Sequence, residues 1–318
     1  MGRIVVISNP LSHRNRGWKG RLERLLARYP DIVFRELADI ADIPRIFVEI
    51  EALNPDLVVV NGGDGTVIAI ATHIIANDLS ARVPPLAVLP GGQTNMIAAN
   101  LGTNGKPERI IARLHNLVQT GMLDRHVAPQ PFLRLEHRAG EPIYGTFFGA
   151  AAIVRAILFC RRRIFPLGLP NPLAHGLAGL ALLAIGLWPG RARSALFPSE
   201  AVSIKLDGTT VGPERLLVLL ATTLDNLLLG LSPPRRAGDG PVRLVAVAHA
   251  AKAVLGALWT LIVRRGRGRP VPGLMMDTGR RLEIELDCPY TLDGELFAPE
   301  GRETIRLSGG ASLSFVKF

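Results

Sequence analysis

The chain has 318 residues, enough for two domains, and its 48% hydrophobic and 20% charged residues exclude an intrinsically disordered protein. The formal net charge of +10 predicts a polyanionic partner. We expect no nucleic-acid partner, because only 5% of the residues are aromatic and single-stranded bases stack on aromatic side chains. The two cysteines, Cys160 and Cys288, have no metal-ligand or redox spacing, so we expect both to be reduced thiols.

The first part of the chain alternates between strand and helix patterns. Short apolar runs bounded by turn residues predict strands, and apolar residues three or four positions apart predict helices. The predicted strands are 4–7, 32–34, 57–60 and 86–89, and the predicted helices are 18–29, 44–53, 67–76 and 95–101. Alternating strands and helices predict an α/β domain, a parallel sheet with flanking helices.

From about Ala128 the pattern changes to runs in which apolar and polar residues alternate, as in half-exposed strands. The predicted strands are 132–137, 202–206, 216–220, 242–247, 282–286 and 304–307. This half is expected to be a mainly antiparallel β domain with helical insertions. The predicted domains are therefore residues 1–128, to which a C-terminal strand could return, and residues 129–318.

A glycine-rich segment, Asn61-Gly62-Gly63-Asp64-Gly65-Thr66, follows the strand at 57–60 and opens the next helix. Glycines allow a ligand to approach the backbone closely, and free amides at a helix N-terminus attract a phosphate. Asp64 would repel that phosphate unless Mg²⁺ lay between them, so it is predicted to be a metal ligand. The alternative is a glycine turn with an Asx cap, but the strand–loop–helix context favours a phosphate site.

A second segment of this kind, Leu89-Pro90-Gly91-Gly92-Gln93-Thr94-Asn95, lies between the next strand and helix. The carboxyl ends of neighbouring parallel strands meet at one edge of a sheet, so the two loops could frame one nucleotide. The alternative is an ordinary turn in which Thr94 or Asn95 caps the helix. A third segment, Leu292-Asp293-Gly294-Glu295, lies between two predicted strands, and by itself Asp-Gly predicts a hairpin turn.

Together these segments resemble the diacylglycerol kinase superfamily, which includes sphingosine and ceramide kinases and bacterial lipid kinases. Asn9-Pro10-Leu11-Ser12 resembles its opening segment, and Asp293-Gly294-Glu295 its late Asp-Gly-Glu. The resemblance implies a nucleotide-binding α/β domain followed by a β-sandwich lipid-binding domain, with ATP and Mg²⁺ as cofactors. It implies catalytic roles for Asp64, which also holds the metal, and for Glu295, the base for the acceptor hydroxyl. The implied ATP contacts are Asn9, Gly62, Gly63, Asp64, Gly65, Thr66, Gly92, Gln93, Thr94 and Asn95.

Several positions depart from the family pattern. Ile68 and Ala69 replace an Asn-Glu pair, and Gly91, Gln93 and Met96 replace Leu, Thr and Asp in the second loop. These changes suggest a divergent subgroup. Diacylglycerol, ceramide and a sphingoid base therefore all stay open as acceptors.

Basic residues border two apolar segments of the second half, at 173–188 and 253–263. The flanking arginines are 161–163, 191, 193, 264, 265, 267 and 269. Sixteen helical residues reach about 24 Å, short of the roughly 30 Å hydrocarbon core, so we expect no transmembrane helix. Apolar helices beside arginines instead predict peripheral binding of a cytoplasmic protein to an anionic membrane surface, where a lipid substrate would be met. The alternative is a buried core helix with solvated ends.

The predicted function is an ATP-dependent lipid kinase. One alternative is a soluble kinase resembling NAD kinases, which share the Gly-Gly-Asp-Gly loop. Another is a catalytically degenerate protein of the same fold that binds a membrane or a partner. The sequence is also compatible with a homodimer formed through an exposed strand edge.

Overall fold

The computed structural model describes residues 2–137, 140–159, 161–162, 200–227, 233, 240–249, 259 and 271–318. The chain divides into two compact units. Unit 1 comprises Met1–Gln130 and Ala311–Phe318, and unit 2 comprises Pro131–Gly310.

Unit 1 alternates strands and helices from its first element onwards. Its strands are β1 (Ile4–Ser8), β2 (Ile32–Glu36), β3 (Leu57–Gly62) and β4 (Leu86–Pro90). Its helices are α1 (Lys19–Leu26), α2 (Ile43–Leu53), α3 (Asp64–Ala76), α4 (Met96–Asn100) and α5 (Pro107–Gln119), with short 3₁₀ turns at Ile40–Asp42 and Leu123–His126. Each of the eight predicted elements is present, and α5 is an addition.

The strands of unit 1 form a parallel sheet in the order β4, β3, β1, β2, with Val6 level with Val59 and Phe34. All residues of β1 and β3 are buried because helices cover both faces of the sheet. Helices α1 and α5 share one core cluster with β1, β3 and β4. The last residues of the chain join the sheet, where Phe315 pairs with Leu86 of β4.

The described part of unit 2 consists mainly of antiparallel strands. They are β5 (Val127–Glu136, which begins in unit 1), β6 (Ile143–Gly145), β7 (Phe147–Ala151), β8 (Glu200–Ala201), β9 (Ser203–Leu206), β10 (Thr209–Thr210), β11 (Arg215–Thr222), β12 (Val242–Ala248), β13 (Leu274–Gly279), β14 (Arg281–Leu286), β15 (Tyr290–Leu292), β16 (Glu295–Phe297) and β17 (Glu303–Val316, which ends in unit 1). A helix, α6 (Ala152–Phe159), follows β7.

Two layers of strands enclose the core of unit 2. One layer has the order β10, β9, β14, β17, and the other β13, β12, β11, β7, β15, β16. Inward residues of both layers, such as Ile284 in β14 and Leu219 in β11, belong to one buried cluster. In β14 the even-numbered residues from Leu282 to Leu286 are buried, because successive strand residues point to opposite faces. The predicted fold class, an α/β domain with a mainly antiparallel β-sandwich, is confirmed.

The predicted interfacial segments at 173–188 and 253–263 lie outside the described residues, except for Trp259. Their flanking arginines lie outside as well, apart from Arg161 and Arg162. Among the residues that the structure describes, no helix has both the length and the apolar character needed to span a bilayer.

Candidate nucleotide-binding site

Three loops follow the carboxyl ends of β1, β3 and β4 in unit 1. They are the β1 loop (residues 9–15), the β3 loop (residues 62–66, which includes the last residue of β3 and the first three residues of α3) and the β4 loop (residues 90–95, which includes the last residue of β4). Strands β1, β3 and β4 are neighbours in one parallel sheet, so their carboxyl ends lie along the same edge. The edge therefore gathers Asn9 and both glycine-rich segments that the sequence singled out.

The β1 loop is hydrogen-bonded to the start of α3. Asn9 Nδ2 donates to Thr66 Oγ1 at 2.9 Å, and Asn9 Oδ1 accepts from the Leu11 amide at 2.9 Å. Ser12 Oγ accepts from the Gly63 amide at 3.3 Å. The β1 loop is thus an Asx turn whose polar side chains hold the β3 loop in place.

Asn15 also joins these loops, although its local sequence does not mark it as a site residue. Its side chain is 6% exposed, and its Nδ2 donates to the carbonyls of Asn9 at 2.8 Å and Asn61 at 3.1 Å. A Cβ on Gly91 would lie 2.8 Å from Asn15 Nδ2, so only glycine leaves room for this side chain. A single asparagine outside a motif offers no sequence signal for such a role.

The β3 and β4 loops touch through glycine backbones. A Cβ on Gly63 would lie 3.0 Å from the Cα of Gly92, and a Cβ on Gly62 would lie 2.7 Å from the Thr66 Cβ. The Gly91 amide also donates to the Gly62 carbonyl at 2.9 Å. The glycines of both motifs therefore permit two loops to pack backbone against backbone.

Asn95 shapes the end of the β4 loop. It has a left-handed backbone conformation with φ of 54°, which asparagine tolerates better than most residues. Its Oδ1 accepts from the Gly92 amide at 2.7 Å, and its Nδ2 donates to the Gly92 carbonyl at 2.8 Å. Gln93 and Thr94, at the tip between them, are half-buried.

Asp64 connects the β3 loop to α4. Its Oδ2 accepts from the Met96 amide at 3.0 Å and its Oδ1 from the Ile97 amide at 2.9 Å. Asn95 occupies the N-cap position but makes no side-chain cap hydrogen bond, so Asp64 caps α4 from a different segment of the chain. Burial raises the pKa of Asp64, and the amide hydrogen bonds oppose that rise.

A cavity of about 300 Å³ lies beside the loops, within unit 1. Trp18, Pro90 and Pro107 give it apolar surfaces, while Arg14 and Lys106 give it positive charge. A further lining residue, Arg21, pairs with Glu108 at 2.8 Å and lies 5.7 Å from the centre of the Trp18 ring. The cavity can accept a flat ring next to an anionic group.

Asp293 and Gly294 lie in unit 2, where they form the turn between β15 and β16. Their φ values of 48° and 94° are typical of a type I′ hairpin turn, and Leu292 pairs with Glu295 across it. The hairpin expected from Asp-Gly is therefore present. Glu295 is exposed, and its carbonyl accepts from Thr291 Oγ1 at 2.7 Å.

Within the described part of the chain, no group of three or more His, Cys, Asp or Glu side chains could hold a metal by itself. The two Asp64 oxygens accept hydrogen bonds from the Met96 and Ile97 amides, and each carboxylate oxygen has two lone pairs. Asp64 therefore fits a magnesium ion only as a single carboxylate ligand. Mg²⁺ commonly binds in this way, with substrate phosphates and water supplying the other ligands.

Residues 3–123 match the family model described as the diacylglycerol kinase catalytic domain. This part of the chain is similar to that family. The match runs from β1 to the first residue of the 3₁₀ turn after α5, and so includes all three loops. The resemblance drawn from the motifs is confirmed.

Solved structures extend the likeness to the whole chain as a fold. A candidate diacylglycerol kinase from Bacillus anthracis strain Sterne has 17% identity and a TM-score of 0.64, with 100% of this chain and 97% of that chain covered. Another structure, of a diacylglycerol kinase from the same strain, has 16% identity and a TM-score of 0.58 with the same coverage. At this identity the likeness concerns the fold alone. No curated protein matches the sequence.

Proposed function

We propose that the protein transfers the γ-phosphate of ATP to the hydroxyl group of a membrane lipid. The observation that carries the proposal is the convergence of the β1, β3 and β4 loops at one sheet edge, in a domain of a kinase family. Loops at the carboxyl ends of parallel strands are where such sheets bind nucleotides.

The start of α3 is the proposed phosphate-binding site. Gly63 is the N-cap, so the next amides, those of Asp64 and Gly65, point outward at the positive end of the helix dipole. Gly65 is exposed, and a Cβ there would have nothing within 4 Å. That open space supports close approach of a phosphate group to the backbone.

Asp64 is the proposed ligand for Mg²⁺, which would neutralise charge on the phosphates. The Met96 and Ile97 amides fix the orientation of the carboxylate before any ligand binds. Because the carboxylate is already held in one orientation, Asp64 loses little conformational entropy when it contacts the ion.

The cavity beside Trp18 is the proposed site for the base of ATP. Pro90 belongs both to the cavity lining and to the β4 loop, so a nucleotide could lie across the two. Arg14 and Lys106 would favour its negative charge.

Glu295 is the proposed general base for the lipid hydroxyl. It is exposed and so accessible to an acceptor, and the type I′ turn sets the direction of its strand. A carboxylate within hydrogen-bond reach of the hydroxyl would accept its proton as the oxygen attacks phosphorus. The proposed acceptor is diacylglycerol or a ceramide-like lipid, met by peripheral association with an anionic membrane.

The test is an acceptor screen with ATP and Mg²⁺. Mixed micelles would carry diacylglycerol, ceramide or sphingosine, and a parallel reaction would contain NAD. We expect a phosphorylated lipid and no phosphorylated NAD. Product from NAD alone would replace the proposal by a soluble NAD kinase, and ATP binding without any product would favour a degenerate kinase.

A matched pair of variants tests the proposed base. Glu295→Gln keeps the size of the side chain and removes its basicity, so we expect ATP binding to persist while lipid phosphorylation falls by roughly 100-fold or more. Glu300→Gln, at another exposed glutamate five positions along the chain, is the control. Equal turnover by the two variants would remove Glu295 from the role of base.

A further inference from the structure

The Asp293 carboxylate is held by a buried threonine far away in the sequence. Asp293 Oδ2 accepts from the Thr146 amide at 2.7 Å, and Asp293 Oδ1 accepts from Thr146 Oγ1 at 2.8 Å. The Asp293 amide in turn donates to the Phe147 carbonyl at 2.8 Å. Three hydrogen bonds therefore fasten the hairpin turn to the segment between β6 and β7.

Thr146 is itself fixed from its other side. Its side chain is fully buried, and its carbonyl accepts from Thr222 Oγ1 at 2.7 Å and from the Thr223 amide at 3.1 Å. Thr222 is the last residue of β11, a central strand of the layer, and Thr223 follows it directly. The turn is thus connected through Thr146 to a central and largely buried strand of unit 2.

Glycine is required next to this contact. A Cβ on Gly145 would overlap Asp293 Oδ2 and would lie 2.7 Å from the Leu292 Cγ. The chain therefore leaves space for the carboxylate at the position where Thr146 receives it. A turn that only reversed the chain direction would need neither the space nor the buried hydroxyl.

We propose that Thr146 is a positioning residue, which holds the Asp293–Gly294 turn so that Glu295 points at the acceptor hydroxyl. This rests on the proposed function, in which Glu295 is the base. Glu295 follows the turn directly, and its carbonyl is also bound by Thr291 Oγ1. With both ends of the turn fixed, few backbone rotations remain by which the glutamate could leave its place.

The central test is the pair Thr146→Val and Thr146→Ser. Valine has the same shape and lacks the hydroxyl, whereas serine keeps the hydroxyl. We expect Thr146→Val to lower kcat for lipid phosphorylation by roughly 10- to 100-fold, since a displacement near 1 Å has effects of that order. The KM for ATP should stay within about twofold, because the loss concerns the catalytic step and not nucleotide binding. Thr146→Ser should recover most of the activity.

Thr278→Val is the matched control. Thr278 is a buried threonine in β13, at the opposite edge of the same layer. Loss of the Thr278 hydroxyl should leave kcat unchanged, even if the free energy of unfolding falls. A kcat for Thr146→Val equal to that of wild type, or equal losses in the valine and serine variants, would overturn the proposal.

Two further measurements separate positioning from a general structural role. In a Glu295→Gln background, Thr146→Val should cause no further fall in kcat, because both changes remove the same contribution. A full additional loss would overturn the proposal.

Hydrogen exchange at the Asp293 amide should be faster in Thr146→Val than in wild type or Thr146→Ser. Unchanged exchange would show that Thr146 does not hold the turn. Hydrogen exchange does not depend on catalytic activity. If the wild type phosphorylated no lipid, the proposed function would be refuted, and hydrogen exchange would still show whether Thr146 holds the turn.

Discussion

Gly92→Ala perturbs the closest approach between the β3 and β4 loops. A Cβ at position 92 would lie 2.4 Å from the Gly63 Cα and 3.0 Å from Asn95 Oδ1, where ordinary contacts begin at 3.4 Å. The two backbones must therefore separate by about 1 Å. The new Cβ would meet the backbone of Gly63 and the hydrogen-bonded side chain of Asn95. No flexible side chain is therefore available to move aside.

The expected cost follows from that displacement. Overpacking of a tight contact lowers the free energy of unfolding by about 1–3 kcal/mol. Separation of the loops should also weaken ATP binding, because Asp64 and the α3 amides would no longer face the β4 loop as they do here. Gly63→Ala, whose Cβ would lie 3.0 Å from the Gly92 Cα, should show a smaller effect in the same direction.

The assays are urea denaturation and calorimetric titration with ATP. Gly20→Ala is the control, because its Cβ would meet nothing within 4 Å and it lies in α1. This change should leave ATP binding unaltered and stabilise the helix by up to about 1 kcal/mol. If Gly92→Ala matched Gly20→Ala in stability and in ATP affinity, the account of loop packing would be refuted.

Other predictions concern Asp64 and the cysteine of unit 2. Asp64→Ala would leave the Met96 and Ile97 amides without their acceptor, so the free energy of unfolding should fall by about 1–2 kcal/mol, and a variant as stable as wild type in urea would contradict this. Burial raises the pKa of Asp64 in the folded state, so the folded protein binds this proton more tightly than the unfolded chain. The contribution of Asp64 to stability should accordingly decline as pH rises from its ordinary value of 3.8 through the raised pKa, and Asp64→Asn should remove that pH dependence. Burial also raises the pKa of Cys288 to about 11, so at pH 8 only about one thiol in a thousand is ionised. Alkylation followed by mass spectrometry should find Cys288 slow to react until denaturant is added; equal rates in both states would contradict its burial.

Much of unit 1 could be predicted because its signals are local. The apolar runs at 57–60 and 86–89 are buried in β3 and β4, since strands covered on both faces need continuous apolar sequence. The glycine motifs can also be recognised from local sequence, because each occupies one short segment after a strand. Helix α3 begins at Asp64, three residues before its predicted start, because Gly63 already serves as the N-cap.

The remainder depends on contacts between distant segments. Asp64 caps α4 from 32 residues away, and Thr146 binds Asp293 across 147 residues. Neither pairing leaves a pattern in the local sequence, because only the folded sheet brings the partners together. The sequence therefore indicated an Asx or N-cap role for residues near each loop, whereas the structure assigns the cap of α4 to Asp64.

The most direct test of the account is whether radiolabelled γ-phosphate from ATP enters the organic phase after incubation with diacylglycerol or ceramide micelles and Mg²⁺. The wild-type protein should produce a labelled lipid, and Glu295→Gln should produce far less of it while still binding ATP. Label that stays in the aqueous phase for the wild type with every lipid, despite measurable ATP binding, would contradict the proposed lipid kinase.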